Sequence, residues 1–408
     1  MSQIRPVAGS PPVGRPIIPP NADIWVLAGQ SNMAGSGFGE DYETPDGNVW
    51  LFTLRDEWEV AREPFVADRY DAIDEAFAIM RGEREKHLAD SEYRRNRSSA
   101  YFAELLATRS GGGLGLPFGK AISSFTRRPT GLVFCAKGDT RMAEWDPDYM
   151  GPPFMALYRA TIRRLRAVGR QVTGILWFQG ESDTFGGQGN RYFDNMKRLV
   201  AAFRRDLAQP DLPFFYVQIS STDQQTEEEL PEWNLVQESQ RRLESLLTPG
   251  GMVSSIDLPR WDGIHLSTSA LGRLGRRLAT VARRSLYGDR GVEIGPRLSF
   301  IEREPNHPAR LRVRFSSVNG RLSPAEGVEG FSIYFPNETQ NRIRKTFIEQ
   351  MDATAVVMQT DEPIPTGSTL WYGKGLNPSC NLVDAADLAA PVFGPCEILP
   401  KSGFAAGK

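Results

Sequence analysis

The stretch IWVLAGQSNM, residues 24–33, decides the fold prediction for this chain. It opens with an unbroken apolar run, and a glycine followed by polar side chains comes directly after that run. Apolar residues without polar alternation are typical of a strand that is buried on both faces of a parallel sheet. Ligands of open α/β sheets bind beyond the carboxyl ends of the strands, so the residues after this run are candidates for a site.

Similar apolar runs, separated by stretches of helical period, continue along the chain up to residue 287. Four more apolar runs occur at 131–136, 173–178, 214–219 and 252–256. Stretches of helical period lie at 153–168, 191–207, 233–247 and 267–286. Alternating strands and helices predict a doubly wound α/β domain over residues 22–287. We expect three layers, in a flavodoxin-like arrangement, around a parallel sheet of about five strands.

Three segments do not follow this alternation of strands and helices. Residues 1–21 are rich in proline and are predicted to be disordered or extended. Residues from about 55 to 109 are highly charged, and we interpret them as a helical insert with a solvated face; a lid over the site is the alternative. Residues 290–408 alternate polar and apolar positions between Gly, Pro and Asn, which predicts a smaller C-terminal antiparallel β-module of sandwich-like form.

Composition narrows the classes of partner. Lys and Arg number 48 against 50 Asp and Glu, so the net charge of −2 gives no reason to expect binding to nucleic acid. No apolar run reaches the length of a bilayer and no secretory signal is visible, so we expect no membrane insertion. A cytoplasmic location follows by default, or export if a signal is missing from this chain. Free thiols are expected for the cysteines; pairing of Cys380 with Cys396 in an oxidising compartment is the alternative.

Ser31 is the first candidate functional residue, because it follows a core strand and a Gly-Gln pair. A serine on a tight strand-to-helix turn exposes its hydroxyl next to a helix N-terminus, as a nucleophile requires. A helix N-cap serine is the competing interpretation. Position alone leaves both open.

His265 is the candidate base for such a serine. The chain has three histidines, and of these only His265 follows a core strand and precedes a helix; His87 lies in the charged insert and His307 near the start of the C-terminal region. Asp262, three residues earlier, would reach the far ring nitrogen on a short turn and fix the tautomer. The alternative is that Asp262 is a turn residue and that His265 caps the helix. So few histidines and no cysteine cluster predict neither a metal nor an organic cofactor.

Four motifs in order then resemble a known family. They are GQSNM at 29–33, CAKGDTRMAEW at 135–145, WFQGESD at 177–183 and DGIHLS at 262–267. Together they resemble the sialate O-acetylesterase and carbohydrate esterase branch of the SGNH/GDSL hydrolases. The resemblance covers residues 22–287 and implies that this segment is an SGNH hydrolase domain. WYGKGLNPSCNLVD at 371–384 is similar to the β-module often attached to these esterases.

The resemblance implies a role for each matched position. Ser31 is implied as nucleophile, His265 as base and Asp262 as its partner. An oxyanion hole is implied from the backbone N–H groups of Ser31, Gly138 and Asp139 and from the Gln179 side chain. Residues expected to bind substrate or support the site are Gln30, Asn32, Glu181 and Asp183. For Glu181, a plain carboxylate at a helix N-terminus remains an equal alternative.

One position departs from the family pattern: Asp139 stands where the family has a second glycine. If that position needs a positive φ, Asp tolerates it better than most residues. Its carboxylate would oppose a developing oxyanion if it pointed into the cleft.

The expected function is therefore hydrolysis of O-acetyl esters on a carbohydrate by a Ser-His-Asp triad, with an acetylated carbohydrate as the partner and no cofactor. Two alternatives are kept. One is an esterase for other small acyl or lipid esters, which a cleft lined by bulky apolar side chains would favour. The other is a non-catalytic carbohydrate-binding protein with a vestigial site.

Overall fold

The computed structural model describes residues 17–37, 42–53, 56–65, 111–399 and 403–404. Most of the charged insert, including His87, and most of the N-terminal segment lie outside these described residues, so the predictions made for them stay predictions.

A seven-stranded sheet forms the centre of the first part of the chain. Its strands are β1 Asp23–Gly29, β2 Val49–Phe52, β3 Trp58–Val60, β4 Thr130–Phe134, β5 Gly174–Phe178, β6 Phe214–Gln218 and β7 Gly250–Ser254. The spatial order is β3-β2-β4-β1-β5-β6-β7. The five predicted apolar runs form five adjacent strands, β4, β1, β5, β6 and β7, all paired in parallel. The α/β class predicted from those runs is therefore confirmed.

Two further strands make the sheet mixed and larger than predicted. β2 adds in parallel to β4, whereas β3 pairs antiparallel with β2 at the sheet edge. The sequence interpretation placed residues 58–60 in the helical insert, and there it was wrong. The Trp58 ring packs on Phe52 with centroids 5.0 Å apart, which holds this segment against β2 as an edge strand.

Helices connect the parallel strands. They are α1 Ser31–Ala34, α2 Gly115–Thr126, α3 Leu157–Val168, α4 Gly189–Asp206, α5 Leu230–Leu243 and α6 Thr268–Leu286, with 3₁₀ turns at Pro153–Met155 and Glu181–Asp183. α2 packs against α6, and α4 packs against α5. In the described part of the chain, no helix is both long and apolar enough to cross a membrane.

A large apolar core surrounds the sheet, and β1 ends in close contact with the neighbouring strand β5. The Trp25 side chain on β1 is fully buried and meets Phe118 of α2 edge to face, with centroids 4.7 Å apart. Gly29 closes the strand at φ 133°, and a Cβ there would lie 2.1 Å from the carbonyl oxygen of Phe178 on β5. Only glycine allows β1 to end this close to β5, and the chain then turns directly into Ser31.

Residues beyond 290 form three smaller antiparallel sheets. Their strands are β8 Arg297–Arg303, β9 Arg310–Ser316, β10 Leu322–Ser323, β11 Phe331–Tyr334, β12 Ile343–Ile348, β13 Ala355–Thr360, β14 Thr369–Tyr372, β15 Val383–Asp384, β16 Phe393–Glu397 and β17 Gly403–Phe404. The sheet orders are β12-β13-β9-β8-β17, β11-β14-β16 and β10-β15. They share a second apolar cluster of their own, in agreement with the predicted antiparallel texture.

Two kinds of contact join this C-terminal part to the α/β part. Leu376 and Leu388 insert into the α/β core cluster. Arg277 of α6, whose side chain is 1% exposed, pairs with both oxygens of Asp257 at 2.7 and 2.6 Å and also reaches Asp387 at 3.2 Å. All three cysteines are free thiols, which was the favoured expectation.

Candidate active site

Ser31, His265 and Asp262 come together at the carboxyl edge of the sheet. Ser31 opens α1 directly after β1, and its hydroxyl Oγ lies 3.0 Å from His265 Nε2. On the far side of the ring, His265 Nδ1 lies 2.7 Å from Asp262 Oδ2. The three side chains thus form one continuous hydrogen-bonded line. Gln30 occupies the N-cap position of α1 and Ser31 is the first helical residue, so Ser31 is not the N-cap of this helix.

The loop that carries Asp262 and His265 explains their spacing. Asp262 Oδ1 accepts hydrogen bonds from the backbone N–H groups of Ile264 and His265 at 2.8 and 2.6 Å, which leaves Oδ2 for the imidazole. Burial works to raise the pKa of Asp262, but these three hydrogen bonds and the nearby imidazole outweigh it, so the pKa is lowered. A charged carboxylate accepts the Nδ1 proton, which directs the Nε2 lone pair at Ser31.

Hydrogen bonds to the carbonyl oxygen of Gly263 also hold this loop in place. The carbonyl oxygen of Gly263 accepts hydrogen bonds from Asp223 N at 3.0 Å, from Thr222 Oγ1 at 3.1 Å and from the Arg260 guanidinium. A Cβ added at residue 263 would lie 2.3 Å from an Asp223 carboxylate oxygen, so a larger residue here would require the Asp223 side chain to move. The position of Asp262 and His265 therefore depends on the loop after β6.

The C-terminal part extends this support. The Leu376 carbonyl accepts a hydrogen bond from Thr222 N at 2.7 Å, and Asn377 Oδ1 accepts one from Arg260 Nη2 at 2.9 Å. Leu376 and Asn377 thus bind Thr222 and Arg260, which in turn donate hydrogen bonds to the Gly263 carbonyl. The sequence analysis did not predict this support of the loop, because a local sequence pattern gives no information about contacts between residues more than a hundred positions apart.

Gln30 and Asn32 flank Ser31 and are buried, with 3% and 1% of their surface exposed. Gln30 Oε1 accepts from the N–H groups of Gly180 and Ser182 at 3.4 and 3.3 Å. Asn32 Oδ1 accepts from Leu266 N at 3.0 Å. Both side chains join the Ser31 turn to neighbouring loops. These hydrogen bonds hold the Ser31 turn in place, and because both side chains are buried, little of their surface is left to contact a substrate.

Glu181 lies beneath this turn. Its Oε1 accepts a hydrogen bond from Asn32 Nδ2 at 2.8 Å, while its Oε2 has no hydrogen-bond partner among the described residues. Burial raises the pKa of this carboxyl, and the Asn32 hydrogen bond opposes the rise only in part. Glu181 also begins a 3₁₀ turn, so both of its expected descriptions, a site support and a carboxylate at a helix start, fit the geometry.

Gln179, an expected oxyanion donor, has its side-chain amide hydrogen-bonded within the protein. Its side chain is fully buried, and Nε2 donates to the Thr140 carbonyl at 3.0 Å and to Asp183 Oδ2 at 2.5 Å. Both amide protons are thus committed elsewhere. Asp183 Oδ2 also accepts from Met142 N at 2.9 Å. Gln179 and Asp183 together hold the loop at 138–142.

That loop brings Gly138 and Asp139 next to Ser31. A Cβ placed on Gly138 would lie 3.7 Å from Ser31 Cβ, so the two residues face each other closely. Asp139 has φ 54°, the left-handed conformation in which the family glycine would be free of strain, and its side chain is exposed. Within the described residues, no hydrogen bond is made by the backbone N–H groups of Ser31, Gly138 or Asp139. These three N–H groups belong to the Ser31 turn and to the loop that Gly138 brings next to it.

The remaining candidates lie elsewhere. His307 sits in the connection between β8 and β9, and Asp257 is paired with Arg277, so neither contacts His265. Across the described ranges, no group of three or more His, Cys, Asp or Glu side chains is arranged to hold a metal ion.

The buried Asp183 predicts a measurable pH effect on stability. Burial, the largest influence, raises its pKa from 3.8 to about 6. A raised pKa means that the stabilising contribution is full below 3.8 and is lost as the pH rises through about 6. Asp183→Asn keeps an oxygen for Met142 and Gln179 and removes this titration. We expect the unfolding free energy of the variant, relative to wild type, to increase by up to about 3 kcal/mol between pH 4 and pH 7.

Urea denaturation at both pH values measures that difference. The matched control is Asp194→Asn, an exposed aspartate on α4, for which the difference should stay within about 0.5 kcal/mol. A pH-independent difference for Asp183→Asn would show that Asp183 is already charged at pH 4 in the folded protein.

Comparison with known proteins identifies the class. Residues 21–284 match the family described as carbohydrate esterase, sialic acid-specific acetylesterase. The match spans well over half of the chain, and the protein belongs to this family. It is thus a carboxylic ester hydrolase, an acetylesterase that acts on O-acetyl esters of carbohydrates.

The chain is also similar to particular proteins and solved structures. The chain is 29% identical to a probable carbohydrate esterase of Arabidopsis thaliana. The alignment spans 284 residues, which are 68% of this chain and 95% of the relative. The fold of this chain is similar to that of a carbohydrate acetylesterase from Xanthomonas citri, with a TM-score of 0.63, 21% identity, and coverage of 91% of this chain and 80% of that one. The fold match extends well past residue 284 and so includes part of the C-terminal sheets. A solved structure from Arabidopsis thaliana matches with a TM-score of 0.47 and 26% identity over 64% of this chain and 97% of that one.

Proposed function

We propose that this acetylesterase acts through Ser31 as nucleophile, His265 as general base and acid, and Asp262 as the group that orients and stabilises the imidazole. The observation that carries the proposal is the line of two hydrogen bonds, 3.0 Å from Ser31 Oγ to His265 Nε2 and 2.7 Å from His265 Nδ1 to Asp262 Oδ2. A serine with a base in reach, and a third group orienting that base, is the arrangement that activates a hydroxyl nucleophile.

The reaction then runs in two halves. Ser31 Oγ attacks the acetyl carbonyl carbon while His265 Nε2 takes the hydroxyl proton, and the tetrahedral intermediate forms. His265 returns that proton to the sugar oxygen as the ester C–O bond breaks, which leaves acetyl-Ser31 and a free sugar hydroxyl. Water then attacks the acetyl carbonyl carbon while one of its protons passes to His265. When the bond to Ser31 Oγ breaks, His265 returns that proton to Ser31, and acetic acid leaves and loses its remaining proton to solvent as acetate.

The oxyanion of each intermediate needs donors aimed at it. We assign this role to the backbone N–H groups of Ser31, Gly138 and Asp139, which make no hydrogen bond within the described residues. Gln179 is not included, because both of its amide protons are engaged by Thr140 and Asp183. Preorganised donors of this kind contribute on the order of 10²- to 10³-fold in rate each.

We further propose that residues 22–287 form the hydrolase domain and that residues 290–408 form a supporting module without reacting groups. The hydrogen bonds from residues 376–377 to Thr222 and Arg260 support this division, because they reach the loop behind His265 and not Ser31 itself. An SGNH-type, flavodoxin-like layering of the α/β part is consistent with the strand order β4-β1-β5-β6-β7.

Asp139 gives a prediction that tests the oxyanion assignment. Asp139 follows Gly138, which lies next to Ser31, and its side chain is exposed. We infer that its charge opposes the negative charge that develops on the acetyl oxygen. We expect Asp139→Asn, which keeps the backbone N–H and tolerates a positive φ, to raise kcat by about 3- to 10-fold at low salt. The gain should shrink in high salt because exposed charges are screened.

Asp139→Gly separates charge from backbone strain. It should match the Asn variant in kcat and in addition unfold at higher denaturant concentration, because φ 54° costs glycine nothing. A fall in kcat for both variants would mean that the Asp139 carboxylate contributes directly to catalysis.

The direct test of the whole proposal is acetate release from an O-acetylated monosaccharide and from p-nitrophenyl acetate by wild type and by Ser31→Ala. Esters with longer acyl chains, assayed in parallel, test the alternative of a broader esterase. Equal turnover of acetyl and long acyl esters would favour that alternative, and absence of turnover by wild type would favour a binding protein with a vestigial site.

A further inference from the structure

Glu63 is a mostly buried carboxyl group that the mechanism does not use, and it joins two segments that are distant in the chain. Its Oε1 accepts a hydrogen bond from Gly113 N at 2.8 Å, and its Oε2 accepts one from Glu43 N at 3.1 Å. Each carboxyl oxygen therefore binds one backbone N–H group. The segment before β2 and the segment before α2 are fixed to each other through this side chain.

Residues 111–113 are three buried glycines, here called the tri-glycine segment, and they lie against the residues that end α1. Gly111 N donates to the Gly35 carbonyl at 3.2 Å, and a Cβ added to Gly113 would lie 3.4 Å from Gly35 Cα. A Cβ added to Gly111 would fall on the carbonyl oxygen of Gly37. Only glycine lets the two backbones approach this closely.

The residues that end α1 in turn hold Ser31. The Ser31 carbonyl oxygen accepts hydrogen bonds from Gly35 N at 3.1 Å and from Ser36 Oγ at 2.9 Å. A helix of four residues leaves most of its backbone groups without a partner inside the helix, so α1 depends on such outside contacts. A continuous series of contacts thus runs from Glu63 through the tri-glycine segment and Gly35 to the Ser31 backbone.

The charge state of Glu63 determines how many good acceptors it offers. Burial, the largest influence, raises its pKa from 4.5 to about 7, and the charge of Glu43 acts in the same direction. The two backbone N–H groups and Lys120 of α2 oppose the rise. Lys120 and Arg276 of α6 are paired with the Glu43 carboxylate at 2.7 and 3.1 Å. A charged Glu63 has two acceptor oxygens, whereas a protonated one has a hydroxyl in place of one of them.

We propose that Glu63 is a positioning residue for Ser31, and that its charged form holds the nucleophile in the reactive geometry through the tri-glycine segment. This inference rests on the proposed function, because it takes Ser31 as the nucleophile. Glu63 has no contact with substrate in this role and acts only on where Ser31 Oγ lies relative to His265. Misplacement of a nucleophile slows its attack more than it weakens substrate binding, so kcat changes and KM does not.

Glu63→Gln tests this inference, because glutamine has the size of glutamate but only one acceptor oxygen at every pH. We expect the ratio of wild-type kcat to variant kcat, measured with p-nitrophenyl acetate, to rise from below about 2 at pH 5.5 to about 5–10 at pH 8.5. Protonation of His265 affects both proteins and cancels in this ratio. KM should agree within about 2-fold.

Stability should change in the opposite direction, which separates positioning from a purely structural role. The pKa of Glu63 is raised in the folded protein, so its stabilising contribution is full below 4.5 and is lost as the pH rises through about 7. The urea midpoint of Glu63→Gln relative to wild type should therefore rise between pH 5.5 and pH 8.5, while its relative kcat falls.

The matched control is Glu232→Gln. Glu232 also bridges two backbone N–H groups, those of Gly187 and Gly189 at 2.8 and 3.1 Å, and these lie in the loop after β5. Its kcat should stay within about 2-fold of wild type at every pH.

Two results would overturn the inference. A kcat ratio for Glu63→Gln that does not change with pH would leave Glu63 a structural residue. A changed KM with an unchanged kcat would show that Ser31 is correctly placed without the charge on Glu63. Both differ from a failure of the proposed function, in which Ser31→Ala would retain wild-type turnover whatever the effect of Glu63→Gln.

Discussion

Ser31→Ala is expected to lower kcat for acetate-ester hydrolysis by about 10⁴- to 10⁶-fold, because the variant has no atom that can carry the acetyl group. The hydrogen bond of the Ser31 side chain is to His265, and the backbone of α1 does not depend on it, so the fold should be intact. KM should change little, since the N–H groups near Ser31 are backbone groups that alanine also has. Steady-state assays, with circular dichroism spectra as the control for folding, measure both effects.

The combination with His265→Ala makes this prediction specific. The two residues act as a unit, so the double variant should be no more than a few-fold slower than either single variant. Multiplicative losses would show that Ser31 and His265 contribute to separate steps. Turnover by Ser31→Ala within about tenfold of wild type would exclude Ser31 as the nucleophile.

Asp262→Asn has the second largest expected effect, a loss of about 10⁴-fold in kcat. The asparagine oxygen can still accept the backbone N–H groups of Ile264 and His265, which Asp262 Oδ1 accepts at 2.8 and 2.6 Å. Its amide nitrogen then faces His265 Nδ1 and donates to it. The ring proton is forced onto Nε2, and Nε2 loses the lone pair that should take the Ser31 proton.

The pH dependence gives this variant a second readout. The pKa of Asp262 is lowered in the folded protein, so its stabilising contribution is full above 3.8 and is lost only as the pH falls through the lowered pKa. At neutral pH the wild type therefore has the charged partner, and raising the pH of the Asn variant should not restore activity. Asp194→Asn, exposed on α4, is the matched control and should retain wild-type turnover. An Asp262→Asn variant within tenfold of wild type would require another carboxylate to orient His265.

Five strands of the sheet were predictable because each is buried on both faces and so appears as an unbroken apolar run. The same reasoning did not identify β2, whose apolar run VWLF is only four residues long, or β3. β3 is a three-residue edge strand with one polar side chain at its centre, and it is held by pairing and by the Trp58–Phe52 contact. Edge strands of this length have no periodicity of their own to detect.

Ser31 and the Asp262–His265 pair were predictable for a related reason, since their local spacing already determines much of their geometry. Gly29 must precede the turn because of its contact with β5, and three residues from Asp262 to His265 allow one carboxylate to hold both the loop and the ring. The roles of the oxyanion donors were less accessible. Gln179 occupies the family position, yet the direction of its amide depends on Asp183 and Thr140.

What the sequence by itself determined is the α/β class, the five core strands and the three residues proposed for catalysis, because strand burial and short-range turn geometry are properties of neighbouring residues. What only the tertiary structure decided is the support around them. The hydrogen bonds Arg260–Asn377, Thr222–Leu376, Gln179–Thr140 and Trp261–Ser36 join segments that are distant in the chain. Such contacts depend on how the C-terminal sheets and the loops after β5, β6 and β7 pack together, and no stretch of sequence contains that packing.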